Sequence, residues 1–122
     1  MDKQKVLVVD DSDSMRYIIS FCLNEAGYDV VEAANGQEAL LIAQAEHYDV
    51  IITDINMPCM DGYDFIVAVR QSSKNQHAPI LTLTTNTSQD AVAKGKAAGA
   101  TGWLTKPFND QTLLNVMRKV AA

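Results

Sequence analysis

KVLVVDDSDSMRYIISFCLNEAG, residues 5–27, sets a strand, an acidic turn and a helix in a row. Lys5 to Asp10 is short, apolar and rich in β-branched residues, as in a strand buried on both faces. Met15, Ile18, Ile19, Cys22, Leu23 and Ala26 then recur at helical spacing and mark one apolar stripe. Ser12 or Asp13 caps the start of that helix, and Gly27 stops it. The alternation repeats along the chain. Asp29 to Ala33 reads as a second strand, and Asn35-Gly36 opens a helix running to about Glu46. Asp49-Val-Ile-Ile-Thr-Asp54 is a third buried strand, followed by a loop from Asn56 to Met60 that contains Pro58. Asp61-Gly62 starts a helix with Phe65, Ile66 and Val69 on one side. Pro79 to Thr84 is a fourth strand, and Thr87 or Ser88 caps a helix reaching about Ala98. Thr101 to Leu104 is a short fifth strand. Asn109 or Asp110 caps a last helix with Leu113, Leu114, Met117 and Val120 apolar.

Five strands alternating with five helices predict an α/β fold: a parallel sheet covered on both faces and joined by right-handed crossovers. The helix over 88–98 has Val92 as its only large apolar residue and Gly95 in its interior. It is either a surface helix with little to bury or an element able to shift.

Composition narrows the function classes. A length of 122 residues predicts one domain, with no linker, repeat or low-complexity stretch. Apolar residues at 48% and charged residues at 20% exclude disorder, collagen and coiled coil. The longest stretch without Asp, Glu, Lys or Arg, residues 75–89, contains Pro79 and is too short and polar to span a bilayer. The N-terminus carries no secretory pattern. Cys22 and Cys59 form no metal or redox motif, so a reducing, cytoplasmic setting is expected. The net charge is −5. Residues 17–69 hold nine carboxylates and no Lys or Arg, whereas residues 70–122 hold seven basic side chains against two carboxylates. Overall acidity disfavours nucleic acid. The basic half is either a solvated face or a site for an acidic partner segment.

In an open α/β sheet, ligands gather beyond the carboxyl ends of the strands. Asp10, Asp11, Asp54, Thr84 and Lys106 are the polar residues at those ends. Three carboxylates brought together repel one another, and a hard divalent cation relieves the repulsion. Few carboxylates plus open water positions suit Mg²⁺, which bridges to phosphate. No phosphate-binding G-x-x-x-x-G-K-[ST] loop is present, so phosphoryl chemistry without a nucleotide is the leading idea.

The segments VLVVDDSDSMR, IITDINMPCMDG, PILTLTTN and GATGWLTKPF, in this order and spacing, resemble response-regulator receiver domains over the whole chain. Within that family the chain is most similar to CheY-like chemotaxis regulators. The resemblance implies a flavodoxin-like sheet of order 2-1-3-4-5 with helices on both faces. It implies that Asp54 is the phosphoacceptor for a histidine kinase and that Mg²⁺ is held by Asp10, Asp11, Asp54 and the backbone carbonyl of Asn56. It assigns Lys106 and Thr84 to phosphoryl oxygens, makes the Lys106–Pro107 bond cis, and sets Trp103 at the family's switch aromatic. On this reading Trp103 turns inward when Thr84 moves and reshapes the face formed by 88–122; the equal alternative is a permanently half-buried strand residue. Asn56 and Asn86, two positions after Asp54 and Thr84, are expected to tune the phosphate lifetime through water access.

Ordinary roles compete at each position. Thr85 neighbours Thr84 and would replace it after a one-residue slip. Asp61-Gly62 reads as a turn and cap, Asp13 as a cap that adds charge near the pocket, and Met57 and Met60 as packing. Cys59 lacks an activating partner. His47 and His77 lack metal-ligand spacing and are expected at the surface.

The expected partners are a chemotaxis histidine kinase, the flagellar motor switch or another target on the 88–122 face, and a phosphatase. No nucleic acid or membrane is expected, and the protein is expected to be a monomer that catalyses only its own phosphorylation and dephosphorylation. The chain ends after the fifth helix, so output through protein contact is expected. The alternatives are a phosphorelay carrier or phosphate sink, a receiver cut from a larger regulator, or an aspartyl hydrolase of small phosphate esters. Asp11-Ser12-Asp13 formally fits the D-x-D of such hydrolases, but Met15 stands where they have Thr or Val.

Overall fold

The computed structural model describes residues 3–71 and 74–121. The elements alternate as β1 (Lys5–Val9), α1 (Asp13–Glu25), β2 (Asp29–Ala33), α2 (Gly36–Ala45), β3 (Val50–Asp54), α3 (Gly62–Arg70), β4 (Ile80–Thr84), α4 (Gln89–Ala98), β5 (Gly102–Thr105) and α5 (Asp110–Val120). All strand pairs are parallel, and the order is β2-β1-β3-β4-β5. This is the α/β fold and strand order expected from the resemblance.

Strand pleating divides each apolar run between two cores. Leu7, Val9, Ile51 and Ile80 join Phe65, Ile66 and Val69 of α3 and Ala39 and Ala43 of α2 on one face. Val6, Val8, Val50, Ile52, Leu81 and Leu83 join Ile19 and Leu23 of α1 and Leu113 and Met117 of α5 on the other. Every residue of β3 is buried, as its central place requires.

Each helix begins with a side chain that accepts a backbone N–H three residues on: Ser12, Asn35, Asp61, Ser88 and Asn109. These caps satisfy amides that a helix start leaves unpaired. Ser12 is chosen over Asp13, Ser88 over Thr87 and Asn109 over Asp110.

Two expectations are corrected. Ile18 is 51% exposed, and Ala26 is also exposed, because α1 turns Ile19, Cys22 and Leu23 to the sheet. Ile18 instead shares an outer surface with Tyr17 and Phe21, whose rings stack 6.1 Å apart. The fifth strand also starts one residue later than expected. Thr101 is its entry, exchanging hydrogen bonds with Ile80 through both its amide and its hydroxyl.

The helix expected to be weakly anchored is so. Gly95 is the only buried residue of α4. Its C-terminal end, however, is clamped. Gly99 ends α4 in the left-handed region, and its carbonyl accepts from Arg70 Nε and Nη2 at 3.0 and 2.7 Å. Arg70 Nη1 also donates to the Ala78 carbonyl at 2.6 Å and the Gln76 carbonyl at 3.1 Å. One cation therefore closes the C-terminal ends of α3 and α4 and the turn before β4. Truncating it leaves several part-buried carbonyls without a charged donor. Arg70→Ala is expected to cost about 2–3 kcal/mol of stability, read as a lower urea midpoint, with Arg70→Lys between the two. An unchanged midpoint in Arg70→Ala would show that solvent replaces the clamp.

Candidate functional site

Parallel pairing brings the carboxyl ends of the strands to one edge. Val9 lies opposite Thr53, so Asp10 and Asp54 stand side by side just beyond it. Thr84 and Thr105 are paired across β4 and β5, and Lys106 follows. Oxygens of Asp10, Asp11 and Asp54 lie within 4.8 Å of one another. Asp10 is fully buried, Asp54 nearly so, and Asp11 is exposed at the mouth.

Asp10 is held from several sides. Its N–H donates to the Ala33 carbonyl at 3.2 Å, and its Oδ1 accepts the Ser12 amide at 2.8 Å. Its Oδ2 is buried without a hydrogen-bond partner. Burial pushes the Asp10 carboxyl above its usual range. The charges of Asp54 and Asp11 act in the same sense, against the Ser12 amide and Lys106. Lys106 is the compensating cation, with Nζ 3.5 Å from Asp54 Oδ1 and 3.7 Å from Asp10 Oδ2. Asp54 Oδ1 also accepts its neighbour Ile55 N–H at 2.8 Å. The Lys106–Pro107 bond is cis, as the resemblance implies.

The loop after Asp54 folds back on it. Gly62 N–H donates to the Ile55 carbonyl at 2.8 Å. A β-carbon at Gly62 would stand 2.4 Å from the Asp54 carbonyl oxygen, so only glycine fits there. The Asp61-Gly62 pair is thus the turn and cap read from the sequence. Met57 is buried, and Met60 is half-buried against the core. Cys59 is exposed with φ 71°, while Asn56 is exposed at the rim.

Thr84, rather than Thr85, lines the cleft between β4, β5 and α4, one residue beyond Leu83, the partner of Asp54, and Thr85 is exposed. The Thr84 hydroxyl is engaged locally. It accepts the Asn86 N–H at 2.9 Å and lies 3.1 Å from the Asn86 carbonyl, to which it donates. Asn56 and Asn86 line one groove with Thr84 and Tyr63. Trp103 is 42% exposed on the outer side of β5. It borders the cleft that reaches Thr84, with Lys96 Nζ 5.9 Å from its ring. On the other flank of α4, Lys94 Nζ lies 4.5 Å from the Tyr63 ring.

Tyr63, Lys94 and Lys96 were not singled out as a group from the sequence. Lys94 and Lys96 read from the sequence only as part of the basic half that suits an acidic partner, and nothing in their spacing announces a ring contact. His47 and His77 are exposed, as expected, by a groove at the opposite end of the sheet.

The donor set fits a magnesium ion. It is made of carboxylate oxygens alone, and one of them is a buried oxygen with no hydrogen bond of its own. Such hard donors suit Mg²⁺ better than a softer transition metal. Among the described residues no other cluster of this kind occurs, and no helix is long and apolar enough to cross a membrane.

The chain is similar to known proteins over nearly its whole length. Residues 6–118 match the family model of the response regulator receiver domain. The chemotaxis protein CheY of Pseudomonas aeruginosa is 36% identical over 117 residues, covering 95% of this chain and 94% of that one. The chemotaxis response regulator CheY4 of Vibrio cholerae superposes with a TM-score of 0.95 at 53% identity, over 98% of this chain and 99% of that one. The receiver domain of a Pseudomonas aeruginosa sensor histidine kinase, solved with magnesium in its active-site cleft, superposes at 0.91 with 29% identity over 98% of each chain. With its edge of buried carboxylates, its lysine and its strand order, the chain belongs to the response regulator receiver domain family.

Proposed function

We propose that residues 1–122 form one receiver domain, a single-domain response regulator. It takes a phosphoryl group from a histidine kinase onto Asp54 and signals by phosphorylation-dependent protein binding. The observation that carries this reading is the convergence of Asp54, Asp10, Asp11 and Lys106 at one strand edge.

Asp54 Oδ1 is already bound by the Ile55 amide and faces Lys106, which leaves Oδ2 as the attacking oxygen. It forms the new bond to phosphorus as the phosphorus–nitrogen bond of phosphohistidine breaks, and the imidazole leaves with the electron pair and takes up a proton. Asp10, Asp11, Asp54 and the Asn56 carbonyl would hold Mg²⁺, which when bound neutralises charge on the transferred group. Lys106 pairs with one phosphoryl oxygen. Thr84 gives up its bonds to Asn86 and meets another. Water later attacks phosphorus and restores the Asp54 carboxylate, so the chain turns over only its own phosphate.

Movement of Thr84 opens the cleft to Trp103, which turns inward and leaves Lys96. The 88–122 face carries Lys94, Lys96, Arg118 and Lys119, all exposed. It suits an acidic amphipathic helix. The chemotaxis names of the relatives support a chemotaxis role; in that role a chemotaxis kinase is the donor, the flagellar motor switch the target, and a phosphatase ends the signal. The protein acts as a cytoplasmic monomer without nucleic acid or membrane.

A phosphorelay carrier is the second reading, and one observation favours it. The Tyr17, Ile18 and Phe21 surface of α1 is exposed and begins one turn into the helix that follows Asp11. A carrier must dock a phosphohistidine-bearing helix twice, on receiving and on passing the phosphoryl group, and this surface offers the apolar area for it.

Three outcomes test these readings. Wild type with Mg²⁺ and a small phosphodonor is expected to gain one phosphoryl adduct by intact mass and to change its Trp103 emission; Asp54→Ala is expected to do neither. An adduct on Asp54→Ala would remove Asp54 as the acceptor. Exchanging Asn56 or Asn86 for a bulkier side chain is expected to change the decay rate of the phosphorylated form several-fold with Mg²⁺ affinity kept, and equal decay in both variants rejects their part in water access. Phe21→Glu is expected to slow transfer from a phosphorylated histidine protein about tenfold, the effect of losing about 1.4 kcal/mol of docking energy, with small-donor rates intact. Equal transfer rates would leave α1 outside the donor interface.

A further inference from the structure

Arg16 stands behind the acidic pocket rather than in it. Its Nη1 donates to the Asp10 carbonyl oxygen at 2.6 Å, its Nη2 pairs with Asp13, and its Nε lies 3.5 Å from Glu32. The Arg16 side chain is only 14% exposed, against 92% for Asp13 and 46% for Glu32. Its solvent-facing partners are therefore weak, screened ones. The carbonyl of Asp10 is its protected partner.

That carbonyl belongs to the peptide that joins Asp10 to Asp11. The other groups of Asp10 are already committed: its N–H to Ala33, its Oδ1 to Ser12, and its Oδ2 toward Lys106 and the cluster. Among the described residues, Arg16 is the one side chain that fixes the plane of this peptide. The direction in which exposed Asp11 leaves the backbone follows from that plane. We propose that Arg16 is a positioning residue for the cation site, holding the Asp10–Asp11 peptide so that both carboxylates face the same point. This rests on the reading of Asp10, Asp11 and Asp54 as a Mg²⁺ site.

Charge and positioning predict opposite signs. A guanidinium near the pocket repels a dication, so charge alone makes Arg16→Met bind Mg²⁺ more tightly. Loss of positioning makes it bind more weakly. Outer groups that orient metal ligands are worth roughly 10–100-fold in metal affinity.

The test is calorimetric titration of MgCl₂ into wild type, Arg16→Met, Arg16→Lys and the double variant Asp13→Asn/Glu32→Gln. The ionic strength is about 0.15 M, where charges beyond roughly 8 Å are largely screened. Arg16→Met is expected to weaken binding at least tenfold. Arg16→Lys, which keeps the charge and loses the fork, is expected to weaken it by a smaller factor. The double variant keeps the Arg16 bond to Asp10 and is expected to stay within about threefold of wild type. Amide resonances of Asp10 to Ser12 are expected to shift in both Arg16 variants before metal is added. Equal or tighter binding by Arg16→Met overturns the proposal, as does a loss in the double variant that matches it. Should Arg16→Met fail to fold by circular dichroism, Arg16→Lys decides alone, and wild-type affinity there overturns the proposal. Absence of Mg²⁺ binding by wild type is a separate result and overturns the metal-site reading itself.

Discussion

Three carboxylates at the edge of one sheet would drive that edge apart unless something held them, and Lys106 is what holds them. At 3.5 and 3.7 Å from Asp54 and Asp10, its ammonium gains about 4–5 kcal/mol of attraction from each at an effective dielectric near 20, before desolvation. Desolvation takes back much of this, and it shows in Asp10, whose burial raises its carboxyl pKa. The pocket is therefore tense by construction. Two acids are sunk in the sheet, a third lies at the mouth, and one cation serves both buried acids. A dication or a phosphoryl group entering here changes the local charge by about two units, and the surrounding groups must respond.

The sheet makes this tension affordable. Parallel strands in register deliver their carboxyl ends to a common line, and β3 is buried along its whole length. Helix starts near that line are closed by Ser12, Asp61, Ser88 and Asn109, so few of their amides compete for the pocket. Gly62 lets the β3–α3 loop come within contact of the Asp54 backbone, and a side chain there would push the end of β3 aside.

Much of this was legible in the residues, and the misses share a cause. Apolar runs with β-branched residues predicted buried strands, and the helix spacing predicted their covers, because burial leaves its period in the sequence. Strand order has no such period and came only with the family resemblance. The α1 stripe was drawn too wide. Spacing of three and four marks a face about 100° across, and Ile18 lies on its flank, where neighbours Tyr17 and Phe21 take it outward. Spacing from Pro79 favours Thr84 over Thr85, and β4 does end at Thr84. Arg16 and Arg70 were not legible at all. Both bind backbone carbonyls, and a carbonyl belongs to every residue, so no pattern of side chains announces the contact.

The two arginines also divide the molecule into a fixed and a yielding part. Arg16 braces the β1–α1 turn, and Arg70 locks the C-terminal end of α4 to α3. Among the described residues nothing comparable holds the N-terminal end of α4. There the contacts are the Ser88 cap and half-buried Val92, while the lysine contacts with Tyr63 and Trp103 come from the middle and the last turn of the helix. Such cation–π contacts are worth about 0.5–1 kcal/mol each at exposed sites. Moving this end of the helix therefore costs little, whereas moving the other end breaks charged hydrogen bonds to several carbonyls. On the proposed reading, a push transmitted by Thr84 meets its least resistance at 84–92, and α4 pivots about Gly99 more easily than it translates. Trp103 borders the same cleft as Thr84, Val92 and Gly95, so on that reading the compliance of the helix and the freedom of the indole are coupled.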